Sequence, residues 1–203
     1  MTIPIRRPIS TLLTLTLAAA TLPGCTRAVS EGYYGLTGAS GKATLLTGDP
    51  DRLGRVTREY GAVRVEPFAN EVGDICPPTF LEALPGAIEN ELRYRDRSLT
   101  DRVKGRQKEE LGPFLTGPTD RVLLIKGRII QYDVGSTVDK VAGPMDEAIC
   151  RVQFLDAASG TLIADANLTG RVKSALRTGP QELAAGVAKS VKGLLKPKDK
   201  PQK

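Results

Sequence analysis

Residues 121–134 read RVLLIKGRIIQYDV. The run is long and rich in β-branched residues, which predicts a strand, and Gly127 in its middle predicts a bulge or bend. Downstream, a polar connection over 135–145 leads to a second strand. There Ala148, Cys150, Val152 and Phe154 face one way and alternate with Arg151 and Gln153. Residues 156–160, DAASG, read as a hairpin turn with Gly160 supplying a positive φ, and a returning strand is predicted over 161–173. Thr178-Gly179-Pro180-Gln181 has the form of a capping box. It opens a helix with Leu183, Val187, Val191 and Leu194 on one face and Gln181, Lys189 and Lys192 on the other, stopped by Pro197.

Upstream of the long run, residues 62–68 (AVRVEPF) alternate as a strand that ends at Pro67. Pro77-Pro78 then precedes Phe80, Leu81, Leu84, Ile88 and Leu92, spaced three and four apart as in a helix. Pro85-Gly86 should kink that helix or split it in two. Residues 93–110 are heavily charged and read as a solvated helix end and surface loop. Strand, helix, strand, strand, strand, helix predicts an α/β (α+β) domain with a single mixed sheet of about four strands. Its first crossover should be parallel and right-handed, the later strands an antiparallel meander, and the helices should pack on the sheet.

The amino-terminal segment reads as an address. Arg6 and Arg7 precede a short apolar run, ISTLLTLTLAAAT over 9–21, and then Leu22-Pro23-Gly24-Cys25. A membrane-spanning helix needs about 20 apolar residues, so this run suits a cleaved signal peptide. LPGC resembles a bacterial lipobox, in which Cys25 takes a diacylglycerol and becomes the first mature residue, although Pro23 stands where a small residue or Val is usual. Two alternatives remain: cleavage at the A-x-A sequence of Ala18–Ala20, leaving Cys25 a plain thiol, and an uncleaved anchor. The expected organisation is a signal peptide over 1–24, a flexible Gly/Ser/Thr-rich tether over 25–55, one domain over 56–196 and a basic disordered tail over 197–203. A short early strand around 43–46 would interrupt the tether.

The net charge of +6 lies mostly outside the body of the chain. Arg6 and Arg7 fall in the leader, and Lys192, Lys196, Lys198, Lys200 and Lys203 crowd the end. Between Cys25 and Val191 basic and acidic residues are equal in number. With aromatics at 4% and no Trp, a neutral body does not suit nucleic acid. The basic tail either attracts an anionic lipid surface or is simply solvated.

Three cysteines in an exported chain leave one over unless one is acylated. With Cys25 lipidated, Cys76 and Cys150 either pair as a disulfide or stay as buried thiols. A bridge closing so long a loop would contribute about 4 kcal/mol in the chain-entropy picture.

The chain has no histidine, which removes Ser-His-Asp and Cys-His catalysis and His-ligated zinc. Residues 35–43, GLTGASGKA, mimic a phosphate loop but fail its spacing and end in Ala43, where a hydroxyl is needed. Asp133, Asp156 and Asp165 are the candidates for carboxylate chemistry. Asp156 at the start of a turn more simply bonds local amides. No catalytic, cofactor or metal residue is assigned.

The strand LIKGRI (124–129), the hairpin VQFLDAASG (152–160) and the LPGC motif together resemble an uncharacterised family of bacterial envelope lipoproteins. That family is distantly similar in fold to the curli secretion lipoprotein, to lipoprotein activators of penicillin-binding proteins and to the amino-terminal domain of the TolB translocation protein. The resemblance implies a non-enzymatic binding or assembly module with an envelope protein or cell-wall partner. It also implies an anchor on the periplasmic face of the outer membrane, since Thr26 rather than Asp follows Cys25. The alternative is a carboxylate-dependent envelope hydrolase or transferase.

Overall fold

The computed structural model describes residues 38–97, 99–135, 146–172 and 179–197. The signal segment, Cys25, Thr178 and the tail beyond Pro197 lie outside them. Ten elements follow in order: β1 (Ala39–Gly48), α1 (Pro50–Glu59), β2 (Ala62–Val65), β3 (Ala69–Asn70), α2 (Pro78–Arg93), α3 (Leu99–Val103), β4 (Val122–Val134), β5 (Asp146–Asp156), β6 (Leu162–Val172) and α4 (Pro180–Leu195).

The strands form one mixed six-stranded sheet in the order β1-β6-β5-β4-β2, with β3 also paired to β4. β2 and β3 run parallel to β4, while β4, β5, β6 and β1 form an antiparallel set. The parallel crossover and the meander match the expectation, and the sheet gains two strands over it. One is the two-residue β3. The other is β1, which contains the short strand expected around 43–46 but extends well beyond it into residues expected to be tether, so the described fold begins at Ala39 rather than Val56.

α1 starts where Asp49 Oδ1 accepts the Asp51 amide at 2.9 Å, with Pro50 at the first helical position. α2 runs unbroken through Pro85 instead of splitting there, and buries Phe80, Leu84, Ile88 and Leu92. The proline forfeits one backbone bond in a helix held by that apolar stripe. α4 has Gly179 as its N-cap, without a side-chain bond, and Thr178 of the expected capping box lies outside the described residues.

The inward residues of β4, β5 and β6 share one core with the helices: Leu123, Ile125, Ile129, Cys150, Val152, Phe154, Ala166 and Leu168. Phe80 of α2 meets Tyr132 of β4 edge to face at 5.2 Å. α4 lies unusually close to the sheet. A Cβ on Gly41 would fall 2.2 Å from the Gly186 carbonyl oxygen, and one on Gly170 would fall 2.7 Å from Val187 Cγ2. Ser190 tolerates this depth because its Oγ donates to the Thr169 and Gly186 carbonyls.

Gly127 plays a different part from the expected bulge. The register irregularity in β4 falls between Ile129 and Gln131. A Cβ on Gly127 would instead lie 2.2 Å from the Phe68 ring, so the glycine is a socket for that ring.

Candidate functional site

The three carboxylates singled out in the sequence do not converge. Asp133 sits opposite Glu147 near one end of the β4–β5 ladder, and Asp156 opposite Leu123 at the other. Ten residues of strand separate those rungs by roughly 30 Å. Asp165 lies between, on β6, opposite Gln153.

Asp156 is the turn residue that the DAASG sequence predicts. Its Oδ1 accepts the amides of Ala158 at 3.1 Å and Ser159 at 2.9 Å, together with the Ser159 hydroxyl. Gly160 has φ 68°, the left-handed conformation expected of it. The Asp156 Oδ2 reaches further, accepting the Tyr60 hydroxyl at 3.0 Å and Arg121 Nη2 at 3.4 Å. The Arg121 guanidinium stands 4.7 Å from the centre of the Tyr60 ring. The hairpin tip is thereby tied to the end of α1.

The Ser159 amide, followed by the Tyr60 hydroxyl, holds the Asp156 carboxyl well below the usual carboxylate range. Burial, then the bond to Asp156, raises the Tyr60 hydroxyl. For a carboxyl whose folded pKa is depressed, the stability is present above its unfolded value and is lost as pH falls through the folded value. Melting temperatures measured from pH 7 down to pH 3 should therefore fall in the wild type, and Asp156→Asn should remove part of that fall. An unchanged pH profile in the variant would mean that the charge on Asp156 does not hold the hairpin.

Asp165 is buried and bidentate to Arg151, accepting from Nη2 on Oδ2 at 2.7 Å and from Nε on Oδ1 at 3.2 Å. Asp133 is exposed and accepts from the neighbouring Gln131 amide. Two of the three carboxylates thus hold strands and turns together.

Cys76 and Cys150 are both buried free thiols. Burial pushes the Cys150 thiol up to about 12, with Cys76 adding to the shift, and burial also raises Cys76. Such thiols resist ionisation and are poor nucleophiles as they stand.

Two polar features escaped the sequence reading. Lys192, expected on the outer face of α4, is buried. Its Nζ donates to the Tyr94 carbonyl at 2.7 Å, pairs with Asp96 at 2.9 Å and Glu91 at 3.5 Å, and sits 5.3 Å from the Phe114 ring centre. Burial raises the Asp96 carboxyl, but the Lys192 bond and charge outweigh that and the net shift is downward. The second feature is a cavity of about 300 Å³ on the sheet face away from the helices, lined by Ala69, Lys126, Gly127, Arg128, Arg151 and Gln153. Its only sequence signal is basic residues alternating on two strands, and those meet only once the register is known.

Among the described residues no group of three or more His, Cys, Asp or Glu is placed to hold a metal ion. Among the same residues no helix is long and apolar enough to cross a membrane. Residues 38–43 of the phosphate-loop mimic enter β1, where Gly41 serves the close approach of α4.

No family model matches the chain, and no curated protein does. Among solved structures the chain is similar to the PelC dodecamer from Paraburkholderia phytofirmans at 15% identity and a TM-score of 0.44, over 77% of this chain and 98% of that one. A substituted form of that PelC dodecamer matches at 15% identity and a TM-score of 0.42, over 78% of this chain and 98% of that one.

Proposed function

We propose that this protein is a lipid-anchored component of the bacterial envelope whose α+β domain binds or positions another envelope component without catalysis. The observation that carries the reading is the Leu22-Pro23-Gly24-Cys25 motif after a short apolar run. The placement of Asp156 and Asp165 supports the second half of it. Both are spent on structural bonds, and neither converges with Asp133, so the three candidate carboxylates make no acid–base pair with one another.

Acyl chains on Cys25 contribute about 0.8 kcal/mol per buried CH₂, enough with two or three chains for firm anchoring. By the sorting preference that Thr26 suggests, the anchor sits in the outer membrane and the domain on its periplasmic face. Cell fractionation should find the wild type with membranes and Cys25→Ser in the soluble fraction. Wild-type protein that is already soluble would refute the anchor and favour cleavage at Ala18–Ala20. Crosslinking in intact cells followed by pull-down would identify the partner.

The same compartment bears on Cys76 and Cys150. In an oxidising periplasm we expect these two core thiols to pair. Non-reducing mass spectrometry of material from intact cells should show one linked peptide containing both. Recovery of both as alkylatable thiols after unfolding would exclude the bridge.

A further inference from the structure

On the sheet face away from the helices, β4 and β5 gather four polar side chains. Their register sets Lys126 opposite Gln153 and Arg128 opposite Arg151. Residues two apart on a strand share a face, so the four stand together around one cavity, floored by the Gly127 backbone. Two arginines directly opposite each other on one face repel. Three carboxylates neutralise the group from outside: Glu66 is 3.1 Å from Lys126, Glu71 is 3.0 Å from Arg128 and Asp165 is 2.7 Å from Arg151. None of these acids lines the cavity, whose lining among the described residues carries three cations and no anion.

Among the described residues, the cations keep donors in reserve. Arg151 spends Nε and Nη2 on the buried Asp165, which fixes its guanidinium and leaves Nη1. Arg128 bonds Glu71 through Nη1, leaving Nε and Nη2. Glu66 and Glu71 have side chains 40% and 46% exposed. Exposed pairs of this kind contribute little and yield readily to a competing anion. A guanidinium fork matches the paired oxygens of a carboxylate or phosphate, and one already fixed loses little freedom on binding.

We propose that this cavity is an oxyanion-binding site, taking a phosphate or carboxylate group of a ligand on Arg128 and Arg151, with Lys126 and Gln153 completing the donor set. The inference concerns the domain alone and holds whether or not Cys25 carries lipid.

The test is a titration of the ¹⁵N-labelled full-length protein in detergent, followed by NMR of the arginine Nε–H groups. Inorganic phosphate and galacturonate are added separately, each against sodium chloride at matched ionic strength. Saturable shifts at Arg128 and Arg151, absent at Arg121 and Arg171, are expected with at least one of the two. Which one responds tells a phosphoryl ligand from a carboxylate one. The double variant Lys126→Gln, Arg128→Gln keeps the Arg151–Asp165 pair and should melt close to wild type while binding about tenfold more weakly. Should that variant fold poorly, Arg128→Lys keeps the charge, loses the fork and should still weaken binding. Shifts that follow ionic strength alone, that spread equally to Arg121 and Arg171, or that persist undiminished in a folded variant would overturn the proposal.

Discussion

Val187→Asp is expected to unfold the domain or to cost it most of its stability. Val187 is fully buried on α4, and its Cγ2 fills the space where Gly170 of β6 lacks a side chain. A carboxylate there would face the Gly170 backbone and the Leu183 turn, where the described residues place no cation. Burying an unpaired charge costs several kcal/mol, so a loss of roughly 4 kcal/mol or more is expected. For a domain of this size that lowers the melting temperature by on the order of 10–15 °C, if a transition survives. A contrasting substitution lies on the same helix. A Cβ on Gly193 would meet nothing within 4 Å, so Gly193→Ala should stabilise by about 0.5–1 kcal/mol through helix propensity. Thermal melts of the two variants check both statements. A folded, wild-type-like Val187→Asp protein would show that α4 does not belong to the core.

Lys192→Glu should produce the second large loss. The new carboxylate would face Glu91, Asp96 and the Tyr94 carbonyl oxygen, all of which now accept from or pair with the Lys192 ammonium. Removing one partner from a buried ionic group typically costs about 3–5 kcal/mol, and reversal of sign adds repulsion. Lys192→Met should cost less, because the Asp96 side chain is 48% exposed and water can take the place of the lysine. The pH dependence separates charge from packing. Asp96 is held low by Lys192, so in the wild type its contribution is present above the ordinary carboxylate pKa and is lost as pH falls through its lower folded value. In Lys192→Glu the sign inverts, since protonation relieves the repulsion. The deficit against wild type should then shrink below about pH 5. A deficit independent of pH would assign the loss to packing alone.

What the sequence disclosed divides along physical lines. β4, β5, the Asp156 turn, β6 and α4 were legible because each buries one face and therefore prints its period on the chain. β1 was legible only as a short strand around 43–46, because its inner face opens with Ala39, Gly41 and Ala43 before reaching Leu45. Smallness rather than hydrophobicity is what the approach of α4 demands there, and small residues also make flexible linkers. Lys192 was placed on the wrong face of α4 because an ammonium breaks an apolar stripe in one dimension, whereas in space it meets two carboxylates and a carbonyl contributed by the 91–96 segment. Gly127 signalled a departure from regular strand chemistry but not its kind. Only the fold brings Phe68 over it. The turn role of Asp156 was readable from its neighbours, whereas its bonds to Tyr60 and Arg121 join residues far apart in the chain. The basic cavity likewise depends on a register that two separate strands do not announce.

The position of β1 has a mechanical consequence. The strand lies at the sheet border, pairs with β6 alone within the sheet, and is the first described element after the amino-terminal segment. Tension arriving through residue 38 is borne first by the rung Ala39↔Val172 and then successively by those that follow. A load perpendicular to the strands peels such rungs one at a time, whereas a load along them strains many together. The Gly41 seam adds a clasp: α4 presses on β1 from above, and Lys189 Nζ grips the Ala39 carbonyl at 2.7 Å. Under a pull, the lysine clasp and the first few rungs form the fuse, and the β4–β5–β6 meander behind them keeps its shape until the border strand has gone.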